Sequence, residues 1–239
     1  MQEILPRLSN SVDVILYDCN GNIKAQRHVK NLRTNTGGDL QSKLLGGDLN
    51  LGDMGSATAV TASTIADGSK TWVVNQWAGH VVFTGSVYAV ILSNTINVAT
   101  IDKWYTPNNP GGAAATNPSL GAYVIGFAMA PAVWIGLSAD TTAPATADTS
   151  LTGEVSTNGL ARAFATSSHV AISGGTTATV PGTYTLTKNF TATGTTNNLT
   201  KAAIFNAASG GTMMLEATFT AIPVVSNTDV VSVVWTVNY

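Results

Sequence analysis

Thr183-Tyr184-Thr185-Leu186-Thr187-Lys188-Asn189-Phe190-Thr191-Ala192 decides the fold class, because polar and apolar residues alternate along it and Tyr184, Leu186, Phe190 and Ala192 fall on one face. A repeat of two belongs to a half-buried strand, whereas an amphipathic helix repeats at 3.6. The same alternation returns in Met213, Leu215, Ala217 and Phe219, and in Val231, Val233, Trp235, Val237 and Tyr239. Each strand has one face to cover, and three or more such strands close into a sandwich or barrel. The expected fold is all-β, an antiparallel β-sandwich of jelly-roll-like form. Val234–Tyr239 are expected to be tied into the sheet, so that deleting them abolishes soluble folding.

Composition agrees. The 239 residues include 34 Thr, about two-thirds of them beyond Ser138, with 23 Gly and only 8 Pro. β-Branched Thr and Val favour a pleated surface over a helix. Only 10% of residues are charged and the formal net charge is -2. So neutral a chain lacks the cationic density that grips phosphates and the self-repulsion that keeps a chain disordered. No nucleic-acid partner is expected.

Nearer the start, residues 11 to 18 and 23 to 30 flank Cys19-Asn20-Gly21-Asn22, where the Asn-Gly step supplies the positive backbone angles of a tight β-hairpin. Lys24, Gln26, His28 and Lys30 share one face of its second strand, with Ile23, Ala25 and Val29 on the other. Arg33 to Gly47 suits one short helix ended by Gly46-Gly47. Six of the 11 basic residues lie within the first 43 positions. Lys24, Arg27, Lys30 and Arg33 are therefore candidate contacts to an acidic neighbour, weighed against a plain solvated face. Residues 48 to 70 read as an irregular connection with one strand around Ala57 to Ile65. The runs WVVNQ, HVVFTG, YAVILSN and INVATIDKWY then read as an inserted antiparallel meander. Three segments result: 1–66 as the anchoring hairpin, helix and connection, 67–130 as the inserted module, and 131–239 as the sandwich.

Ala122 to Leu137 is apolar and lies in an uncharged stretch between Lys103 and Asp140, near the lower length limit for a spanning helix. Gly126, Pro131 and Gly136 interrupt it, and two buried strands broken at Met129 to Pro131 account for the same letters. No membrane partner is expected. The first residues lack the basic and apolar segments of a secretory signal, so export by that route is not expected.

Chemistry is sparse. Cys19, the one cysteine, sits in a turn and can form neither an internal disulfide nor a thiolate cluster. His28, His80 and His169 are isolated, and no phosphate loop, nucleophile elbow or His-Glu-x-x-His helix occurs. Glu154 and Glu216 could form a glycosidase pair, but neither has an aromatic platform in sequence. No enzyme activity, metal or cofactor is expected. All five Trp sit in or beside predicted strands and read first as core. Trp77 and Trp104 are the candidates for glycan contact if any are exposed.

Three stretches carry a resemblance: Val29-Lys30-Asn31-Leu32-Arg33-Thr34-Asn35-Thr36-Gly37 with Leu44-Leu45-Gly46-Gly47; Trp134 through Glu154 with its Thr-x-Ala-Pro and Asp-Thr-x-Leu phrases; and Lys201-Ala202-Ala203-Ile204-Phe205-Asn206-Ala207-Ala208-Ser209-Gly210-Gly211-Thr212-Met213. Together with the Trp235-Thr236-Val237 ending, the chain resembles small structural proteins of tailed bacteriophages and prophages, although Ala203 stands where that group usually has glycine. The resemblance implies a virion component assembled in the bacterial host cytoplasm. Its first form would be a capsid decoration or cement protein bound to the major capsid protein and to copies of itself, as a trimer or dimer. The alternative is a tail, baseplate or fibre component, the form under which a host glycan becomes a partner.

Overall fold

The computed structural model describes residues 10–35, 37, 52–107, 109, 112–170, 183–195, 198–223 and 227–238. Seventeen strands are described. The first six are β1 (Asn10–Tyr17), β2 (Ile23–Lys30), β3 (Leu32–Arg33), β4 (Asp53–Ser56), β5 (Ala59–Val60) and β6 (Thr64–Ala66). Then come β7 (His80–Thr84), β8 (Val87–Asn94), β9 (Val98–Ile101), β10 (Ala122–Met129), β11 (Trp134–Ser138) and β12 (Ala163–Phe164). The last five are β13 (Thr166–Val170), β14 (Thr183–Thr191), β15 (Leu199–Phe205), β16 (Met213–Ile222) and β17 (Val230–Asn238).

They form three sheets: sheet I, ordered β13-β14-β17-β1-β2; sheet II, ordered β4-β10-β7-β8-β9-β6-β5; and sheet III, ordered β12-β11-β15-β16-β3. All the strand pairings are antiparallel. Sheets I and III make the expected sandwich. The alternating residues of β1 (Val12, Val14, Leu16), β14 (Leu186, Phe190) and β17 (Val231, Val233, Trp235) meet Ile135, Leu137, Ala202, Ile204, Leu215 and Ala217 of sheet III in one core. A strand of period two has a second face, and in sheet III that face is also covered. Trp134, Ala203, Phe205 and Met213 pack against Val90 of β8, forming a smaller core between sheets III and II. Every residue of β15 is therefore buried, which explains its unalternating run Leu-Thr-Lys-Ala-Ala-Ile-Phe.

Sheet II takes in Asp53 to Ala66 as well as strands of 67–130, while the hairpin β1–β2 lies in sheet I and β3 in sheet III. The expected helix over Arg33 to Gly47 falls almost wholly outside the described residues, and Tyr239 does so as well.

Three local expectations are corrected. The hairpin forms, but its loop spans Asp18–Asn22. Asp18 Oδ1 accepts the Asn20 and Asn22 backbone N–H groups, each at 2.8 Å, and of the Asn-Gly pair only Gly21 takes a positive φ, +83°. A carboxylate able to satisfy the loop amides makes the wider loop stable without a second left-handed residue. Trp72 to Gln76 is a turn rather than a strand. Asn94 accepts the Trp77 N–H at 2.8 Å and donates to the Val73 carbonyl at 2.8 Å, and Asn75 sits at φ +61°. Between residues 53 and 66 there are three short strands where one was expected.

The apolar run resolves into two strands, β10 and β11, as expected, but the break lies at Ala130 to Val133, Met129 being the last residue of β10; β11 is buried throughout, whereas Val124 of β10 is 47% exposed. Among the described residues no helix is long and apolar enough to cross a membrane.

Candidate functional site

The loop that joins β15 to β16, Asn206–Thr212, lies where sheet III meets sheet II. In sequence, Asn206 and the Gly210-Gly211 pair between two strands read as a tight hairpin turn; the structure shows a longer loop closed by its first residue. Asn206 Oδ1 accepts the Thr212 N–H at 2.7 Å, and Gly210 and Gly211 sit at φ +55° and +72°. Arg162 holds the outside of this loop. Its Nη1 donates to the carbonyls of Ala207 (3.2 Å) and Gly210 (2.7 Å), while Nε and Nη2 grip both Glu154 oxygens at 2.7 and 2.6 Å. The guanidinium also lies over the Phe205 ring, 3.4 Å from its centroid. From the sheet II side, Asp102 accepts the Val90 N–H (3.0 Å), the Ala208 N–H (3.3 Å) and the Tyr105 hydroxyl.

Beside the loop runs a row of aromatic rings drawn from β7, β8, β11 and β12 and from Tyr105, which bridges to Tyr88. Phe83, Tyr88, Tyr105, Trp134 and Phe164 contact in sequence, with centroid separations of 6.0, 5.0, 5.9 and 5.4 Å. Four of them, Tyr88, Tyr105, Trp134 and Phe164, wall a cleft of about 280 Å³ between sheets II and III. The Lys103 ammonium stands 5.1 Å from the Tyr105 centroid and 5.3 Å from that of Trp134. Burial, and then the negative charge of Asp102, pushes the Tyr105 and Tyr88 hydroxyls above the usual tyrosine range. Both are neutral donors at any ordinary pH.

Asn206 lines this cleft at 1% exposure. Its Oδ1 is committed to Thr212, and its Nδ2 is buried with no hydrogen-bond partner. Leaving a buried donor unpaired costs about 1–3 kcal/mol.

The sequence-predicted residues lie elsewhere. Lys24 is paired with Asp229 at 2.6 Å, and Arg27 donates to the Thr220 and Ala221 carbonyls at 3.0 and 3.2 Å, bracing sheet I against β16. Lys30 and Arg33 are exposed on β2 and β3. Trp77 and Trp104 are 3% and 1% exposed in a separate core on the other face of sheet II, so neither presents a ring to solvent. The structure does not bring these six together. Glu154 and Glu216 are each held by a separate cation, Arg162 and Lys201.

Lys201, itself buried, reaches Asp140 at 2.7 Å and Glu216 at 3.1 Å on the face of sheet III turned away from sheet I. Burial opposes its charge, but those two carboxylates outweigh burial and raise its pKa. Burial, together with nearby Asp148, moves Glu216 above the ordinary carboxylate range. This cluster pins the segment after β11 to the sheet. His28 meets Asp13 at 2.8 Å, and buried His80 meets the Gly126 carbonyl at 2.7 Å. Among the described residues no group of three or more His, Cys, Asp or Glu could hold a metal ion.

Asn206 and its loop were flagged in sequence by the Ile204–Met213 phrase, but as hairpin geometry. The aromatic row left no sequence signal, because its members lie as far apart as Phe83 and Phe164 and meet only through the packing of sheets II and III.

Compared with known proteins, residues 113–236 match the family described as podophage GP4 fiber I protein gp80. No curated protein and no solved structure matches the chain. The matched stretch begins just before β10 and runs into β17, taking in all of sheet III except β3, the loop Asn206–Thr212, Arg162 and two walls of the cleft, Trp134 and Phe164. Since it covers slightly more than half of the chain, the protein belongs to the podophage GP4 fiber I protein gp80 family and is a structural component of a bacteriophage virion.

Proposed function

We propose that the protein is a tail-fibre component of a short-tailed phage. The observation that carries this reading is the family match over residues 113–236, whose description names a fibre. It favours the tail alternative over a capsid decoration or cement role, which has no comparable support. The physical character of the chain is compatible: a sandwich with a third sheet packed on its back, and 10% charged residues, presents neutral faces that cost less to desolvate against neighbouring virion proteins than charged ones would.

Electron microscopy of purified virions carrying a gold-labelled antibody to this chain tests the reading. Label confined to tail appendages, in few copies per particle, is expected. Label spread across the shell as a regular lattice would overturn the fibre assignment and restore the cement role.

A further inference from the structure

We infer that Lys201 and Asp140 condense into an isopeptide bond within the chain, with Glu216 carrying the protons. The inference goes beyond the fibre reading and does not rest on it.

Three neighbouring strands of sheet III bring the groups together. Lys201 lies on β15, between Asp140, two residues past the end of β11, and Glu216 on β16. Its Nζ is 2.7 Å from Asp140 Oδ2 and 3.1 Å from Glu216 Oε1. Lys201 is 2% exposed and Glu216 1%. Asp140 is fixed from its other sides. Its Oδ1 accepts the Thr142 hydroxyl at 3.0 Å, its N–H donates to Ser138 Oγ at 2.9 Å, and its carbonyl accepts the Thr200 hydroxyl at 2.6 Å.

An ammonium buried with two carboxylates is expensive, because mutual attraction seldom offsets the lost hydration. Condensation removes two of the three charges. The Lys201 ammonium and the Asp140 carboxylate become an amide and one water: a bond forms between Nζ and Asp140 Cγ, one Cγ–O bond breaks, and the departing oxygen takes two of the three ammonium protons. No other reactant is consumed. Holding the partners in contact, away from water, gives effective concentrations of about 10⁵ M and upward, which outweighs the excess of water that favours hydrolysis in solution.

Asp140 and Glu216 hold Lys201 as the ammonium, so a proton must leave before Nζ is a nucleophile. Glu216 Oε1 is within reach, and burial makes its carboxylate a stronger base than an ordinary one. Neutral Nζ then attacks Cγ, the nitrogen loses its second proton, and Glu216 hands both in turn to the oxygen that leaves as water. The Thr142 hydroxyl on Oδ1 stands where negative charge develops in the tetrahedral intermediate. The product ties β11 to β15 by a link that tension along the chain cannot unzip.

Intact-mass spectrometry of the purified full chain, followed by sequencing of its proteolytic peptides, tests the assignment. The chain is expected to be lighter than its sequence requires by one water, with a branched peptide joining Asp140 to Lys201. Lys201→Arg keeps the charge but not the amine, and should keep its full mass. Glu216→Gln should slow condensation at least about a hundredfold, the lower end of what general acid–base catalysis supplies, so that the freshly purified variant is largely uncondensed. If Glu216→Gln fails to fold, the branched peptide of the natural chain decides alone. Full mass in the natural chain after prolonged incubation overturns the proposal. So does a loss of water that maps to any other pair of residues, Lys201 with Glu216 included, or a Glu216→Gln chain that condenses as fast as the natural one.

Discussion

Gly211 shows how one residue sets the geometry of the loop beside the cleft. Its φ is +72°, and a Cβ there would stand 2.6 Å from Asn206 Oδ1 and 2.7 Å from the Ala207 Cβ, so the loop could not keep its closing hydrogen bond. Gly21, at φ +83° in the hairpin loop, has nothing within 4 Å of its would-be Cβ. Both positions carry the left-handed strain of a non-glycine residue, about 1–2 kcal/mol, but only Gly211 adds a collision. Gly211→Ala is therefore expected to lower unfolding free energy in a denaturant titration by roughly 1–3 kcal/mol more than Gly21→Ala does. Equal losses would show that the Asn206 turn relaxes freely. The Asn-Gly signal at Gly21 was legible because it is local. The demand on Gly211 was half legible: a turn glycine could be read, whereas its contact with the Asn206 side chain required the folded loop.

At the scale of elements, the loop Asn206–Thr212 is held from one side by Arg162, between β11 and β12, and from the other by Asp102, after β9. Arg162 has a side-chain exposure of 9% and its partner Glu154 one of 26%, so most of this pair is out of water. Arg162→Ala removes the grip on two loop carbonyls and strands Glu154, for which about 3 kcal/mol is expected. Arg162→Ala combined with Glu154→Ala should cost less than the sum of the single changes, as a double-mutant cycle by chemical denaturation would show. Strict additivity would mean that the pair is not a unit. Sequence reading saw Glu154 as an unsupported acid because Arg162, eight residues away, lies in irregular chain with no helical or strand period to bring the two together. The turn at Trp72–Gln76 was misread for a related reason: β-branched and aromatic letters favour a strand, and the Asn94 side chain that bends this segment comes from β8.

In the whole molecule, β17 is the member of sheet I that pairs with β14 on one side and β1 on the other, over registers running from Val230 to Asn238 and from Val230 to Val237. Removing Val234 to Tyr239 takes Trp235 and Val237 from the sandwich core and leaves long stretches of β1 and β14 unpaired. Expression of that truncation should yield insoluble protein; a soluble product with a cooperative melt near that of the full chain would contradict this sheet order. The packing of sheet II against the back of sheet III accounts for features that no single segment carries. It covers Ala203 and Phe205 on the back of β15 and gathers five aromatic rings, four from separate strands and Tyr105 from an isolated bridge, beside the loop Asn206–Thr212.

The sequence alone determined the all-β class, the hairpin, the broken apolar run and the alternating faces of β14, β16 and β17, since each follows from a period of two or from a turn residue within a few positions. Only the tertiary structure decided which strands share a sheet, that Trp77 and Trp104 lie in the core, and that the candidate site is formed by Asn206 and the aromatic row. The physical reason is that pairing and burial depend on contacts between segments distant in the chain. Local alternation states that a face must be covered, and the packing of whole sheets settles what covers it.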